Sequence, residues 1–170
     1  MLNKATKGHE MSLDVKQSVT ADKNLGFLIG RYEHALDPKR RLTVPALWRD
    51  QMGSPESLYV IPDPHSSCLN LLSPAEMAAR MERVRQRALF DKSLSQSLRI
   101  LGENSEQVML DVQGRVRIRD RLLAFAKLSE KVVMIGECNR IELWAPELRP
   151  EADISQEALA EACANLFTDL

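Results

Sequence analysis

An internal repeat constrains the fold of this chain more than any other feature. The segment Asp37-Pro-Lys-Arg-Arg41 returns as Asp111-Val-Gln-Gly-Arg115, and both its Asp and its last Arg recur after 74 positions. Each copy has a β-rich stretch before this turn and a short strand and short helix after it. Two more strands and a proline-led helical region then follow. The order β-turn-β-α-β-β-α therefore occurs twice.

Neither copy is large enough to fold alone, because four short strands and one small helix bury too little apolar surface. Two copies that interleave their strands across a pseudo-twofold axis can bury enough apolar surface to form a shared core. The sequence therefore predicts an α+β fold in which two units form one barrel-like core, with helices after each unit. The predicted segments are a flexible N-terminal extension at 1–26, a first unit at 27–76, a connecting helical region at 77–106, a second unit at 107–150 and an acidic C-terminal helix at 151–170.

A capping box opens the helical region between the two units. Ser73-Pro-Ala-Glu76 places Ser at the N-cap, proline at the first helical position and Glu at the third. The spacing of apolar residues predicts a helix that continues to about Leu101, with Asp91-Lys-Ser93 as a candidate break.

The repeated turn carries residue types that recognise phosphate or guanine. An Asp at the first position can bond backbone N–H groups of a tight turn, and Pro38 presets φ in the first copy. An Arg directly after such a turn projects a planar five-donor group from a rigid edge. Asp37 and Asp111 are therefore predicted to shape the turns, and Arg41 and Arg115 to contact an anionic partner. A purely structural pair of hairpins is the competing interpretation.

The distribution of charge matters more here than its total. The chain has 23 Lys+Arg and 24 Asp+Glu, a formal net charge of −1, whereas DNA-binding domains typically have a pI above about 9. However, residues 31–49 carry a net +3, residues 111–121 a net +2 and residues 145–170 a net −5. Because salt screens charges beyond about 8 Å, a partner at one face senses the local charge. The cations predicted to assist the two turn arginines are Lys39, Arg40 and Arg117.

The composition is that of an ordinary globular protein, with 44% hydrophobic and 28% charged residues. No stretch approaches the roughly 18 apolar residues that a membrane helix needs, and the N-terminus lacks the apolar core of a signal peptide. The three cysteines have no C-x-x-C spacing. We therefore expect a cytoplasmic protein with reduced thiols and no membrane partner.

Two other constellations compete with the turns as functional sites. His65 lies close to Cys68, which allows a cysteine hydrolase, but nothing orients His65 or supplies an oxyanion hole, and a core-facing Cys68 is favoured. The arginine-rich run at 80–87 is more typical of a solvated helix face than of a phosphate contact. The His and Cys residues lack the spacing of metal ligands. We therefore predict no catalytic residue, metal ligand, cofactor or small-molecule substrate.

Four stretches occur in a fixed order: Tyr32-x-His34-x-Leu36-Asp-Pro-Lys-x-Arg41-Leu-Thr-Val-Pro45, Cys68-Leu69, Leu110-Asp-x-x-Gly114-Arg115-Val and Gly136-x-x-x-Arg140-Ile-Glu-Leu-Trp144. Together, over residues 27–148, they resemble the MraZ family of bacterial transcriptional regulators. That family carries two tandem SpoVT-AbrB-type swapped-hairpin units in one chain.

The resemblance implies a nucleoid-associated protein that binds double-stranded DNA and assembles into homo-oligomeric rings. It implies recognition of repeated promoter boxes upstream of the division and cell-wall gene cluster, usually with repression of the protein's own operon. The family's DNA-binding arginine falls in the Asp-x-x-x-Arg turn, which transfers to Arg41 and, through the repeat, to Arg115.

The two turns depart from the family pattern in different ways. Arg40 stands where the family usually has Gly, so the first turn is either strained at a positive φ or a type I turn with one more basic contact. The second turn keeps Gly114 but has Val112 in place of proline. The two turns are therefore not expected to be equally competent. An oligomeric scaffold that holds other proteins through its hairpins or its acidic tail is the alternative function.

Overall fold

A computed structural model describes residues 26–88, 90–151 and 154–167. The predicted N-terminal extension therefore lies outside the described residues, except for Gly26. The strands are β1 (Leu28–Ala35), β2 (Arg41–Thr43), β3 (Ser57–Pro62), β4 (Leu69–Leu72), β5 (Glu106–Met109), β6 (Arg115–Arg117), β7 (Lys131–Cys138) and β8 (Arg140–Trp144). The helices are α1 (Ala46–Gln51), α2 (Pro74–Ala88), α3 (Lys92–Asn104), α4 (Asp120–Phe125) and α5 (Gln156–Phe167).

Six strands form one antiparallel sheet in the order β1-β7-β8-β4-β3-β5. In the repeat, β1 corresponds to β5, β3 to β7 and β4 to β8. The order is therefore symmetric, because each strand and its repeat counterpart lie equally far from opposite edges of the sheet. The first strand of each half pairs with a strand of the other half: β1 with β7 and β5 with β3. The two halves therefore interleave, and β4 pairs with β8 at the centre.

The strands that follow the two repeated turns pair with each other in a separate two-stranded ribbon. Leu42 lies opposite Val116, Arg41 opposite Arg117 and Thr43 opposite Arg115. Since Arg41 matches Arg115 in the repeat, this register has the same twofold symmetry as the sheet. The ribbon thus brings both turns to one element.

The prediction of a barrel-like core is wrong. Among the described strands, β1 and β5 are the edges of the main sheet and do not pair with each other. Each half places its second strand in the ribbon, so none of the described strands connects the two edges. The fold is a mixed α+β structure with an open antiparallel sheet.

Both halves supply the core. Leu42, Trp48, Leu71, Val116 and Leu143 are fully buried in one cluster that spans the sheet and the ribbon. The indole of Trp48 donates to the Ile29 carbonyl at 3.1 Å, so its one polar group is satisfied. Removing either half would expose the apolar face of the other, which explains why the repeat occurs twice in one chain.

The connecting region contains two helices. The predicted cap at the start of α2 is confirmed, because Ser73 Oγ accepts from the Glu76 N–H at 3.2 Å. The candidate break is also confirmed: the Asp91 side chain accepts from the Leu94 N–H at 3.0 Å and begins α3. α3 ends at Asn104, three residues beyond the predicted end. No helix in the described part of the chain is long and apolar enough to cross a membrane.

Candidate nucleic-acid interface

The first turn is closed by the side chain of Asp37. Its Oδ1 accepts from the backbone N–H groups of Lys39 at 2.9 Å and Arg41 at 2.8 Å. Its Oδ2 accepts from the Nε of Arg41 at 2.6 Å. The Asp therefore fixes both the backbone of the turn and the direction in which the arginine leaves it. Pro38 lies exposed at the second position of this turn.

The second turn repeats this arrangement. Asp111 Oδ1 accepts from the backbone N–H groups of Gln113 and Arg115, both at 2.9 Å, and Oδ2 accepts from the Nε of Arg115 at 2.7 Å. The side chains of Arg41 and Arg115 are 28% and 25% exposed, so both guanidinium groups are half-buried but reach solvent. The same ion pair between Asp and Arg is therefore present in both halves.

These hydrogen bonds favour the charged form of both aspartates. Desolvation alone raises the pKa of Asp37, but the bonds from the Arg41 backbone and guanidinium outweigh it, and the pKa lies below its ordinary value. For Asp111 the backbone bond from Arg115 is the largest cause, and it lowers the pKa despite some desolvation. Both carboxylates are therefore ionised at neutral pH, as an arginine-orienting group must be.

Two further hydrogen bonds, one for each turn, connect the turns to the residues that follow β2 and β6 in the opposite half. The Val44 N–H donates to the Gly114 carbonyl at 2.9 Å, and the Ile118 N–H donates to the Arg40 carbonyl at 3.1 Å. Positions 44 and 118, like positions 40 and 114, correspond in the repeat. The two turns are therefore held in one symmetric unit, and their arginines occupy a fixed relative position.

The last residue before each arginine has left-handed backbone geometry. Gly114 has φ +74° and Arg40 has φ +60°. Of the two geometries open for Arg40, the structure has the strained one, which glycine adopts more readily. The positive φ of Arg40 therefore costs conformational energy. The side chain of Arg40 is one more cation beside Arg41.

The other predicted cations differ in their partners. Arg40 Nε lies 3.4 Å from Asp120 Oδ1, with both side chains largely exposed. Lys39 and Arg117 are exposed, and within the described ranges no acidic side chain forms an ion pair with either of them. Lys39 and Arg117 are therefore the most available charges near the turns.

The arginine-rich run lies on α2, which packs mainly against α3 and β3. Arg80 pairs with Glu76 at 2.9 Å, and Arg85 lies 4.0 Å from Glu82. Arg83 and Arg87 are exposed. This is the pattern of a solvated helix face.

Arg49 was not predicted as a site residue, because its position in the sequence indicates only one of the local cations at 31–49. Arg49 Nε donates to the Val44 carbonyl at 3.2 Å, and its guanidinium packs against Gly114 in the other half. No spacing rule connects these two residues, because the contact exists only once β2 and β6 are paired.

The environment of Cys68 does not suit a nucleophile. Cys68 is fully buried, as predicted, and desolvation together with nearby carboxylates raises the pKa of its thiol to about 12.

The ligand atoms of Asp63, Cys68 and Glu142 lie within 4.8 Å of one another, which is the geometry of a potential metal group. Asp63 already accepts from Asn70, and Glu142 from the Trp144 indole. Both carboxylates of this group therefore already have hydrogen-bond partners within the protein.

Comparison with known proteins places the chain in a family. A family model described as "MraZ protein, putative antitoxin-like" matches residues 101–165, which include the second turn. A protein of Caldicellulosiruptor saccharolyticus named "Transcriptional regulator MraZ" is 32% identical over 143 residues, which cover 82% of this chain and 98% of the relative. The chain belongs to the MraZ family.

Other MraZ proteins match to a similar extent. The "Transcriptional regulator MraZ" of Clostridium beijerinckii is 32% identical over 141 residues, covering 81% of this chain and 97% of the relative. The protein of the same name from Clostridium acetobutylicum is 28% identical over the same length and coverage. The matches span nearly the whole of each relative, so the MraZ resemblance extends over both halves of the repeat and is not confined to one motif.

Proposed function

We propose that this protein binds double-stranded DNA through the β2–β6 ribbon and its two turns, and so regulates transcription. The observation that supports this most is the pair of Asp–Arg turns, Asp37–Arg41 and Asp111–Arg115, held by equivalent hydrogen bonds on one ribbon. A hairpin needs its Asp but does not need an Arg held by it, and here the Arg is duplicated together with its orienting bond.

Arg41 and Arg115 have the central roles. Each has its Nε bonded to an Asp, so the planar group is oriented before DNA arrives and loses less conformational entropy on binding. Such a group forms bidentate bonds with guanine or with a phosphate. Lys39, Arg40 and Arg117 add phosphate contacts around them. Asp37, Pro38, Asp111 and Gly114 shape the turns.

The interleaved halves fit two tandem SpoVT-AbrB-type swapped-hairpin units. We assign the first unit to residues 27–76 and the second to 107–150, with a connecting helical region between them and an acidic helix after the second. The exchange of β1 and β5 between the halves supports this division. It also explains why one chain presents two related turns.

Assembly compensates for the small number of cations on each chain. We propose a homo-oligomeric ring that engages several promoter boxes together, because linked sites raise the effective concentration of the second contact. By family resemblance the boxes lie upstream of the protein's own operon, in the division and cell-wall gene cluster, and binding represses it. The site of action is the cytoplasmic nucleoid. Catalysis, a cofactor and a small-molecule substrate have no role in this proposal.

The competing function is an oligomeric scaffold that holds other proteins without binding DNA. The discriminating experiment titrates a fluorescent duplex from upstream of the protein's own gene with wild-type protein at several salt concentrations, beside a shuffled duplex. DNA binding through several cations predicts an affinity that falls steeply between about 50 mM and about 200 mM salt, with preference for the native duplex. An absence of binding to either duplex at low salt excludes the proposal and favours the scaffold.

A further inference from the structure

The two turns differ in the residue types that restrict their backbones. The first contains Pro38, whose ring fixes φ, whereas the second has Val112 at the matching position and Gly114 before its arginine. Valine leaves φ free and glycine is the most flexible residue, so the second turn loses more conformational entropy when it is ordered. Val112 is also fully exposed, so no packing restrains its side chain.

The guanidinium of Arg49 lies directly against the second turn. A Cβ built on Gly114 would lie 2.5 Å from the Cζ of Arg49 and 2.6 Å from its Nε, distances at which no real Cβ is found. The same Nε donates to the Val44 carbonyl, and the Val44 N–H donates to the Gly114 carbonyl. Arg49 therefore connects α1, the β2 end and the second turn in one contact.

The first turn has no cation at the matching place, and its contact with α4 is instead the exposed ion pair between Arg40 and Asp120. The position that corresponds to Arg49 in the second half is occupied by Leu123, which is 3% exposed and belongs to the apolar core. The turn that contains proline thus has a leucine at this place, and the turn that lacks proline has an arginine. This reciprocal arrangement indicates that the Arg49 contact substitutes for the missing proline.

We propose that Arg49 is a positioning residue that braces the second turn from the other half and so holds Arg115 in its DNA-contacting direction. It acts through Gly114 and does not itself bind DNA. This inference rests on the proposed function for its consequence on DNA affinity, but the bracing of the turn is independent of DNA.

The first arm of the test measures amide hydrogen exchange without DNA. Arg49→Leu, which installs the residue found at the matching position, should speed exchange at residues 113–115 several-fold and leave residues 39–41 unchanged. Adding Val112→Pro to Arg49→Leu should restore slow exchange, because proline removes the same freedom that Arg49 restrains. Unchanged exchange at the second turn in Arg49→Leu overturns the proposal.

The second arm measures affinity and its salt dependence on duplex DNA. Arg49→Leu should weaken binding about fivefold with an unchanged dependence of affinity on salt, and Val112→Pro should restore most of the loss. Arg83→Leu on α2 removes the same charge away from the turn and serves as the control. A shallower salt dependence that Val112→Pro does not restore makes Arg49 a direct phosphate contact and overturns the positioning role.

The exchange and affinity measurements together distinguish the bracing role of Arg49 from the proposed DNA binding. If wild-type protein binds no DNA while Arg49→Leu loosens the second turn, then the proposed function fails and the brace stands. If wild-type protein binds DNA but Arg49→Leu changes neither exchange nor affinity, then the brace fails and the proposed function stands.

Discussion

Leu42 and Val116 lie opposite each other at the centre of the β2–β6 ribbon, and both are fully buried. Each residue directly follows the arginine of its own turn. The two turns are therefore anchored to one another through the core, and their arginines form one surface. This makes the ribbon the structural basis of the candidate interface.

Truncation of the ribbon centre should be costly. We expect Leu42→Ala to lower the free energy of unfolding by about 3 kcal/mol, because it leaves a cavity between the halves. Leu47→Ala on α1 provides the control, since Leu47 is 56% exposed, and it should change stability by less than about 0.5 kcal/mol. Urea denaturation measures both, and equal losses would contradict a shared core beneath the ribbon.

Acid should weaken the two turns. The pKa values of Asp37 and Asp111 are lower in the folded protein than the ordinary value of 3.8. Their stabilising contribution is therefore complete above the unfolded pKa and is lost as pH falls through the folded values. The Asp37→Asn/Asp111→Asn variant should lose stability at neutral pH and show a shallower decline below about pH 4 than wild type. Parallel acid profiles in denaturation experiments would argue against charged turns.

Substitution of Gly114 should be destabilising for two reasons. Alanine would adopt φ +74° with strain, and its Cβ would collide with Arg49. We expect Gly114→Ala to cost about 2 kcal/mol in the free energy of unfolding. Gly102→Ala is the matched control, because Gly102 lies within α3 with open space around it, and there alanine should stabilise the protein by up to about 1 kcal/mol. Thermal unfolding that gives both variants the same sign of change would refute this account.

The thiols should differ in reactivity. Cys68 is buried with its pKa raised to about 12, whereas Cys138 and Cys163 are exposed. A thiol-specific reagent at pH 8 should therefore modify Cys138 and Cys163 in the native protein, and Cys68 only after unfolding. Mass spectrometry of the labelled peptides shows the order in which the three cysteines are modified. Early labelling of Cys68 would reopen the possibility of a functional thiol.

Local signals in the sequence account for much of this structure. The repeat predicted both turns and the role of their Asp residues in shaping them, and the capping box at Ser73 predicted the start of α2. These features depend on residues within a few positions of one another, where hydrogen-bonding rules apply directly.

The arrangement across the halves was not predictable in the same way. Alternating apolar residues show which face of a strand is buried, but they do not specify which strand lies beside it. The open sheet, the Leu42–Val116 register and the Arg49–Gly114 contact all arise from packing between segments about 45 to 110 positions apart. The group of Asp63, Cys68 and Glu142 was missed for the same reason, since Glu142 belongs to the second half.

The central claim is that Arg41 and Arg115 contact DNA. The most direct measurement is the affinity of Arg41→Ala and Arg115→Ala for a duplex from upstream of the protein's own gene, with Arg83→Ala as the control and oligomer size measured in parallel. We predict that Arg41→Ala loses most of the binding, that Arg115→Ala is also weakened, and that Arg83→Ala binds as wild type, all at unchanged oligomer size. Wild-type affinity in Arg41→Ala would contradict the claim.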